Sequence, residues 1–158
     1  MAFLSNQELS LKDIWPIMQE VLESGGEFTF KPHGISMLPL IRQGVDDVVL
    51  VKVVDSLKVG DAVFYQRDNG QFVLHRIVKI KNGEYVMCGD NQAVLEYGIT
   101  DRHILAKMKG VIRDGIFVDE SNKKYQKYVK GLAFRRFKKR LRGFLGRIKN
   151  KIFKKKTV

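Results

Sequence analysis

Between Gly26 and Ser121 the apolar residues come in short runs rich in Val, Ile, Phe and Tyr, and turn residues punctuate them. Phe28 and Phe30 alternate with Thr29 and Lys31, which is the period of a half-buried strand. Residues 48–54 form a β-branched run. Leu57-Lys58-Val59-Gly60-Asp61 reads as a turn before a strand over residues 62–65. Asp68-Asn69-Gly70 and Asn82-Gly83 are hairpin signals on either side of a strand over residues 72–80, and the second leads into residues 85–88. Further strands fall at residues 104–111 and 116–118, around Asp114-Gly115. Short strands with turns at this spacing predict a mainly β fold, a small antiparallel domain over residues 27–120.

Different periodicities flank this domain. Over residues 10–23, Leu11, Ile14, Trp15, Met18, Val21 and Leu22 recur every three or four positions, which predicts an N-terminal helix within residues 1–26. Pro16 sits early enough to displace the start, and Gly25-Gly26 ends the helix. In residues 121–158, Phe137, Leu141, Phe144, Leu145, Ile148 and Ile152 share one helical face among lysines and arginines. Gly131, Gly143 and Gly146 weaken that basic amphipathic helix by about 1 kcal/mol each relative to alanine, so it is expected to be partly formed in water.

Charge divides the chain the same way. Residues 1–120 hold 13 Lys/Arg against 17 Asp/Glu, a formal charge of −4, whereas residues 121–158 hold 16 Lys/Arg and no acid. The formal net charge of +12 therefore belongs to the tail, and the body gives no sign of a nucleic-acid surface. The single cysteine, Cys88, excludes an internal disulfide framework and a multi-cysteine zinc module. Three scattered histidines give no zinc-ligand spacing, so neither metal nor cofactor is expected. The start lacks a basic region followed by an apolar run, and no apolar stretch approaches the ~20 residues of a membrane span. The expected location is cytoplasmic, with the tail at the inner face of a membrane.

Three places carry candidate chemistry. Ser36 lies between Gly34 and Pro39, in a turn able to hold a hydroxyl rigidly and aim backbone N–H groups at a developing oxyanion. A serine needs a base within ~3 Å to be nucleophilic near neutral pH, and histidine is the usual one. His33 is too close in sequence to Ser36, and His103 reads as a surface residue in a polar segment. That leaves His75, in Val73-Leu74-His75-Arg76-Ile77, although a strand histidine bonded to a carbonyl is the plainer reading of that position alone. Gly89-Asp90-Asn91 with Glu96 beyond it is either a turn or the source of a carboxylate that orients the base.

Taken together and in order, four segments resemble the superfamily of signal peptidase I and the self-cleaving repressor peptidases. Gly34-Ile35-Ser36-Met37-Leu38-Pro39 is similar to its Ser-Met-x-Pro box. Leu57-Lys58-Val59-Gly60-Asp61-Ala62-Val63 is similar to its Gly-Asp strand entry. Val73-Leu74-His75-Arg76-Ile77 resembles the strand of its Ser–His branch, and Gly89-Asp90-Asn91-Gln92 its Gly-Asp-Asn turn. The resemblance covers residues 28–113. It implies a β-rich serine endopeptidase acting on a peptide or protein, with Ser36 as nucleophile and His75 as general base. It also implies a carboxylate, Asp90 or Glu96, holding the imidazole, and a substrate bound as an added strand with small side chains near the cut. The chain departs from the pattern at Gly34, where the family often has an oxyanion-stabilising serine, and at Glu96, where it expects aspartate. From these residues no transmembrane anchor of the signal-peptidase kind is expected, and the helix at residues 10–23 is too short to be the repressors' DNA-binding domain.

The tail is read as a membrane contact. Phe137, Leu141, Phe144 and Ile148 would enter an anionic surface, and cations such as Arg140 and Lys151 would meet its headgroups. Nucleic acid is the weaker expectation, and docking onto an acidic partner or the acidic body stays open. The alternative to an enzyme is a non-catalytic membrane- or partner-binding module that keeps the peptidase fold.

Overall fold

The structure is a computed structural model and describes residues 11–154, with the side chains of Arg140 and residues 145–154 excepted. Helix α1 (Leu11–Glu23) is followed by β1 (Phe28–Phe30), β2 (Asp47–Val51), β3 (Ala62–Gln66), β4 (Phe72–Lys81), β5 (Glu84–Cys88), β6 (Glu96–Ile99), β7 (Ile104–Arg113), β8 (Ile116–Asp119) and helix α2 (Lys123–Lys154). The strands form one antiparallel sheet in the order β1-β2-β7-β3-β4-β5-β6, with β8 on the remaining edge of β7. The mainly β architecture with a helix at each end is the one the turn spacing predicts.

The turns explain the pairing. Asn82 and Gly83 have φ of 51° and 76°, and Asp114 and Gly115 have φ of 51° and 78°. Two successive positive values match the right-handed twist of a hairpin, so β4–β5 and β7–β8 close through two-residue turns. The long strands change neighbours along their length. β4 pairs with β3 over residues 72–76 and with β5 over residues 76–81, and β7 passes from β3 to β2 in the same manner. The pleat then separates two cores. Ala62 and Phe64 of β3 join Met18, Leu50, Leu74 and Met108 on one face, while Val63 and Tyr65 join Ile77, Tyr85, Met87 and Ile99 on the other.

Helix α1 seals the first face. Met18 and Leu22 are buried, and Trp15 lies against Phe64 and Phe72 at ring separations of 6.3 and 5.9 Å. Pro16 falls inside the helix rather than at its start. It forfeits only the hydrogen bond to the first turn, which the packed apolar stripe offsets. The predicted first residue, Ser10, lies outside the described residues.

Two strand expectations need correction. The run over residues 48–54 is a strand only to Val51, and Val54 is exposed as the chain leaves the sheet for the Gly60 turn. Strand β6 went unpredicted because Gly98, at φ 79°, and the exposed Tyr97 destroy its alternation. His103 is also corrected: it is buried, with Nδ1 accepting from the Thr100 N–H at 3.0 Å and Nε2 3.2 Å from Asp68 Oδ1.

Helix α2 is continuous despite its glycines. Asn122 caps it, its Oδ1 accepting from the Lys124 and Tyr125 N–H groups at 2.9 and 3.2 Å. Tyr125, Tyr128, Leu132 and Lys139, spaced by three, four and seven, then meet the body. Leu132 is 1% exposed. Tertiary packing thus supplies what the propensity of this segment lacks. No described helix is long and apolar enough to cross a membrane.

Candidate active site

The Ser36 loop leaves β1 through Pro32 and turns at Gly34, whose φ of 96° favours glycine and whose N–H donates to Gln43 Oε1 at 3.0 Å. Across the sheet, β5 ends at Cys88, where its pairing with Arg76 stops. Residues 72–75 of β4 therefore have β3 on one side and no ladder partner on the other. The Ser36 loop sits at this opening. Ser36, Met37, Phe72, Leu74, His75 and Gln92 line a shared cavity of about 260 Å³. Ser36 and His75, 39 positions apart in sequence, thus both line one cavity.

The turn after β5 fastens the loop in place. The Asn91 N–H donates to the Ser36 carbonyl at 2.7 Å, and Asn91 Nδ2 donates to the Ile35 carbonyl at 3.1 Å. A side chain at Gly89 would put its Cβ 2.7 Å from the Ser36 carbonyl oxygen, so the close approach requires glycine. With its carbonyl held from outside, the Ser36 turn is positioned by a second segment rather than by its own sequence alone. Among the described residues, neither the Ser36 nor the Met37 N–H donates a hydrogen bond.

His75 is 5% exposed. Its Nδ1 lies 3.3 Å from Tyr65 Oη, and that hydroxyl donates to Glu96 Oε2 at 2.7 Å. Because the tyrosine proton is committed to the carboxylate, Oη can only accept from the imidazole. This fixes the proton on Nδ1 and leaves Nε2 as the bare nitrogen. Nε2 has no hydrogen-bond partner among the described residues and is not a fully buried atom, and His75 lines the cavity. Glu96 is anchored by Arg67, whose Nε donates to Oε1 at 2.6 Å and whose second terminal nitrogen donates to Oε2 at 2.7 Å. These bonds hold the Glu96 carboxyl below its ordinary range. Burial pushes the imidazole down from 6.5 to about 4; attraction to Glu96 and Asp90 opposes that shift and repulsion from Arg67 assists it.

The structure separates the two candidate carboxylates. Glu96 approaches His75, with 3.9 Å between Oε2 and Nδ1, through the intervening tyrosine. Asp90 instead faces Arg76, the next residue along β4. Arg76 Nε donates to Oδ1 at 2.8 Å and its terminal nitrogen to Oδ2 at 2.7 Å, with both side chains buried. Tyr128 of α2 donates to the same Oδ2 at 3.1 Å, and Arg76 reaches Tyr125 Oη at 3.2 Å. Asp90 thus ties the site's turn to β4 and α2 and makes no hydrogen bond to His75.

Sequence reasoning missed Tyr65, Arg67 and Lys139, and named Asn91 only as part of its turn. A tyrosine closing a buried run is a usable signal, since its hydroxyl needs a partner. No comparable signal marks Lys139, whose ammonium bonds Asn91 Oδ1 at 3.1 Å and also its carbonyl. Of the proposed tail contacts, Phe137, Leu141 and Phe144 are exposed, whereas the side chains of Ile148, Arg140 and Lys151 lie outside the described residues. Among the described residues, no group of three or more His, Cys, Asp or Glu is placed to hold a metal ion. No protein-family model matches the chain, and no curated protein matches it significantly.

Proposed function

We propose that the chain is a cytoplasmic serine endopeptidase of the signal-peptidase-like kind, acting on a peptide or protein. The observation that carries this reading is the shared cavity. It is lined by the Ser36 loop and by a histidine whose Nδ1 meets Tyr65, itself bonded to Glu96, and whose Nε2 has no hydrogen-bond partner among the described residues. The order of the four sequence segments supports the same reading.

His75 Nε2 takes the Ser36 proton as Oγ attacks the substrate carbonyl. Tyr65 and the Glu96 carboxylate stabilise the resulting imidazolium through Nδ1–H. The Ser36 and Met37 N–H groups, which donate no hydrogen bond among the described residues, would serve a developing oxyanion in place of the family's serine at position 34. His75 then protonates the leaving amine, and water releases the acyl group by the reverse proton transfers. The unpaired edge of β4 at residues 72–74 offers main-chain groups for a substrate strand beside the nucleophile.

The test is N-terminal peptide mass spectrometry on membranes and cytosol treated with the wild type, Ser36→Ala or His75→Ala. New termini with the wild type alone support the proposal; identical termini with Ser36→Ala overturn it. A second reading, a non-catalytic binding module, draws on one observation: among the described residues, the Ser36 hydroxyl makes no hydrogen bond, to His75 or otherwise. That reading gains if no new termini form with any of the three proteins.

A further inference from the structure

Helix α2 carries two stripes. The first, Tyr125, Tyr128, Leu132 and Lys139, is used against the body. The second, Phe134, Phe137, Leu141 and Phe144, follows the same three-and-four spacing but is displaced around the helix by more than a quarter turn. These four residues are 60, 62, 45 and 59% exposed. The apolar stripe therefore is not what holds the helix to the body. Isolated surface aromatics need no explanation, but a contiguous row of four large apolar side chains does.

The body extends this stripe. Val94 and Tyr97, on the segment entering and forming β6, are 79 and 66% exposed. They line an open trough of about 790 Å³ with Phe137, Leu141 and Phe144. The helix beside the trough is basic. Lys139 lines the trough, Lys138 Nζ lies 4.7 Å from the ring centroid of Phe134 on the same helix, and residues 121–158 contain no acid to offset them.

We propose that Phe137, Leu141 and Phe144 of α2, together with Val94 and Tyr97 of the body, form one face that docks on an anionic lipid bilayer. Charge complementarity selects this occupant. The basic helix is drawn to acidic headgroups while the apolar row enters the boundary with the acyl chains. Lysines beside the row can keep their ammonium groups in the headgroups and bury their stems. A nucleic acid would draw on the same cations through its phosphates, and binding of that kind is the competing outcome of the test. The consequence is positional. Ala93, Val94, Leu95 and Lys139 line both this trough and a neighbouring cavity that reaches His75 and Glu96, so docking sets the candidate active site at the membrane surface.

The experiment uses the full chain carrying Ser36→Ala, so that loss of peptidase activity and loss of docking are read separately. It is sedimented with phosphatidylcholine vesicles and with vesicles that also contain phosphatidylglycerol. Binding to the anionic vesicles is expected, weakened at least about tenfold by Phe137→Gln/Leu141→Gln/Phe144→Gln, which preserves every charge. Circular dichroism checks that this variant keeps its helix. Independently, Tyr97→Trp reports on the body, and its emission is expected to shift to the blue on anionic vesicles. The proposal is overturned if the triple variant binds like its parent, if the Tyr97→Trp emission does not move, or if the protein binds single-stranded RNA but not vesicles.

Discussion

Acidification reads the environment of His75 directly. Burial holds its imidazole at about 4 in the folded chain, against an ordinary value of 6.5. The folded value is the depressed one, so between these limits the unfolded chain binds more protons and stability falls as pH is lowered. At about pH 5 the unfolded imidazole is nearly all protonated and the folded one nearly all neutral. Linkage then costs about 2 kcal/mol relative to about pH 7.5, rising to about 3 kcal/mol near pH 4. Ordinary carboxylates are still largely ionised in the unfolded chain at about pH 5, so that point isolates the histidine. The assay is urea unfolding at about pH 7.5 and about pH 5 for the wild type and His75→Gln. The wild type should lose about 2 kcal/mol more than the variant over this interval. Equal losses would refute the argument, because the imidazole would then titrate alike in both states and could not be held neutral by burial. The same depression predicts that the acidic limb of kcat/KM, for a substrate found as above, lies near pH 4 rather than near 6.5.

Tyr65→Phe removes the hydroxyl linking Glu96 to His75, and kcat is expected to drop about tenfold to a hundredfold; a cycle with Glu96→Gln should be strongly non-additive, and additive losses would separate the two residues. Asp90→Asn strips the buried Arg76 guanidinium of its counter-charge and should cost about 3–5 kcal/mol in chemical unfolding, with a smaller loss in Arg76→Met/Asp90→Asn. Gly89→Ala forces a methyl toward the Ser36 carbonyl and should cost about 1–3 kcal/mol by the same assay, with a disproportionate fall in kcat as the loop shifts.

Which parts of the fold were legible depended on where local and tertiary forces agree. Asn82-Gly83 and Asp114-Gly115 announce their hairpins because their positive φ values suit few other residues. Trp15, Met18 and Leu22 announce α1 because the face they form is the face that is buried. β6 was hidden because its pairing with β5 passes through a register shift between Tyr85 and Met87, which no period-two pattern survives. The docking of α2 was hidden for a different reason. Its most apolar stripe is exposed, and its contacts with the body are made by two half-buried tyrosines, a buried leucine and an exposed lysine. Hydrophobic periodicity marked the exposed side of that helix and gave no sign of the side that meets the body.

The site itself turns on one pair of neighbours in β4. Because strand side chains alternate, His75 and Arg76 must face opposite ways. His75 goes to the face of Tyr65 and the Glu96 carboxylate, and Arg76 to the face that Tyr125 of α2 covers. The Gly89-Asp90-Asn91 turn spans the end of the strand and serves both sides. Asp90 neutralises Arg76, while Asn91 grips the Ile35 and Ser36 carbonyls. The resemblance of the Gly89-Asp90-Asn91 turn placed Asp90 beside Glu96 among the candidate partners of His75. Strand parity resolves the matter: the carboxylate that meets Arg76 is on the wrong face to orient His75. Glu96 can do so because Tyr65 supplies the reach its own side chain lacks. The same turn is bonded by Tyr128 and Lys139 of α2, so the helix that carries the exposed apolar row also braces the turn that holds the Ser36 loop.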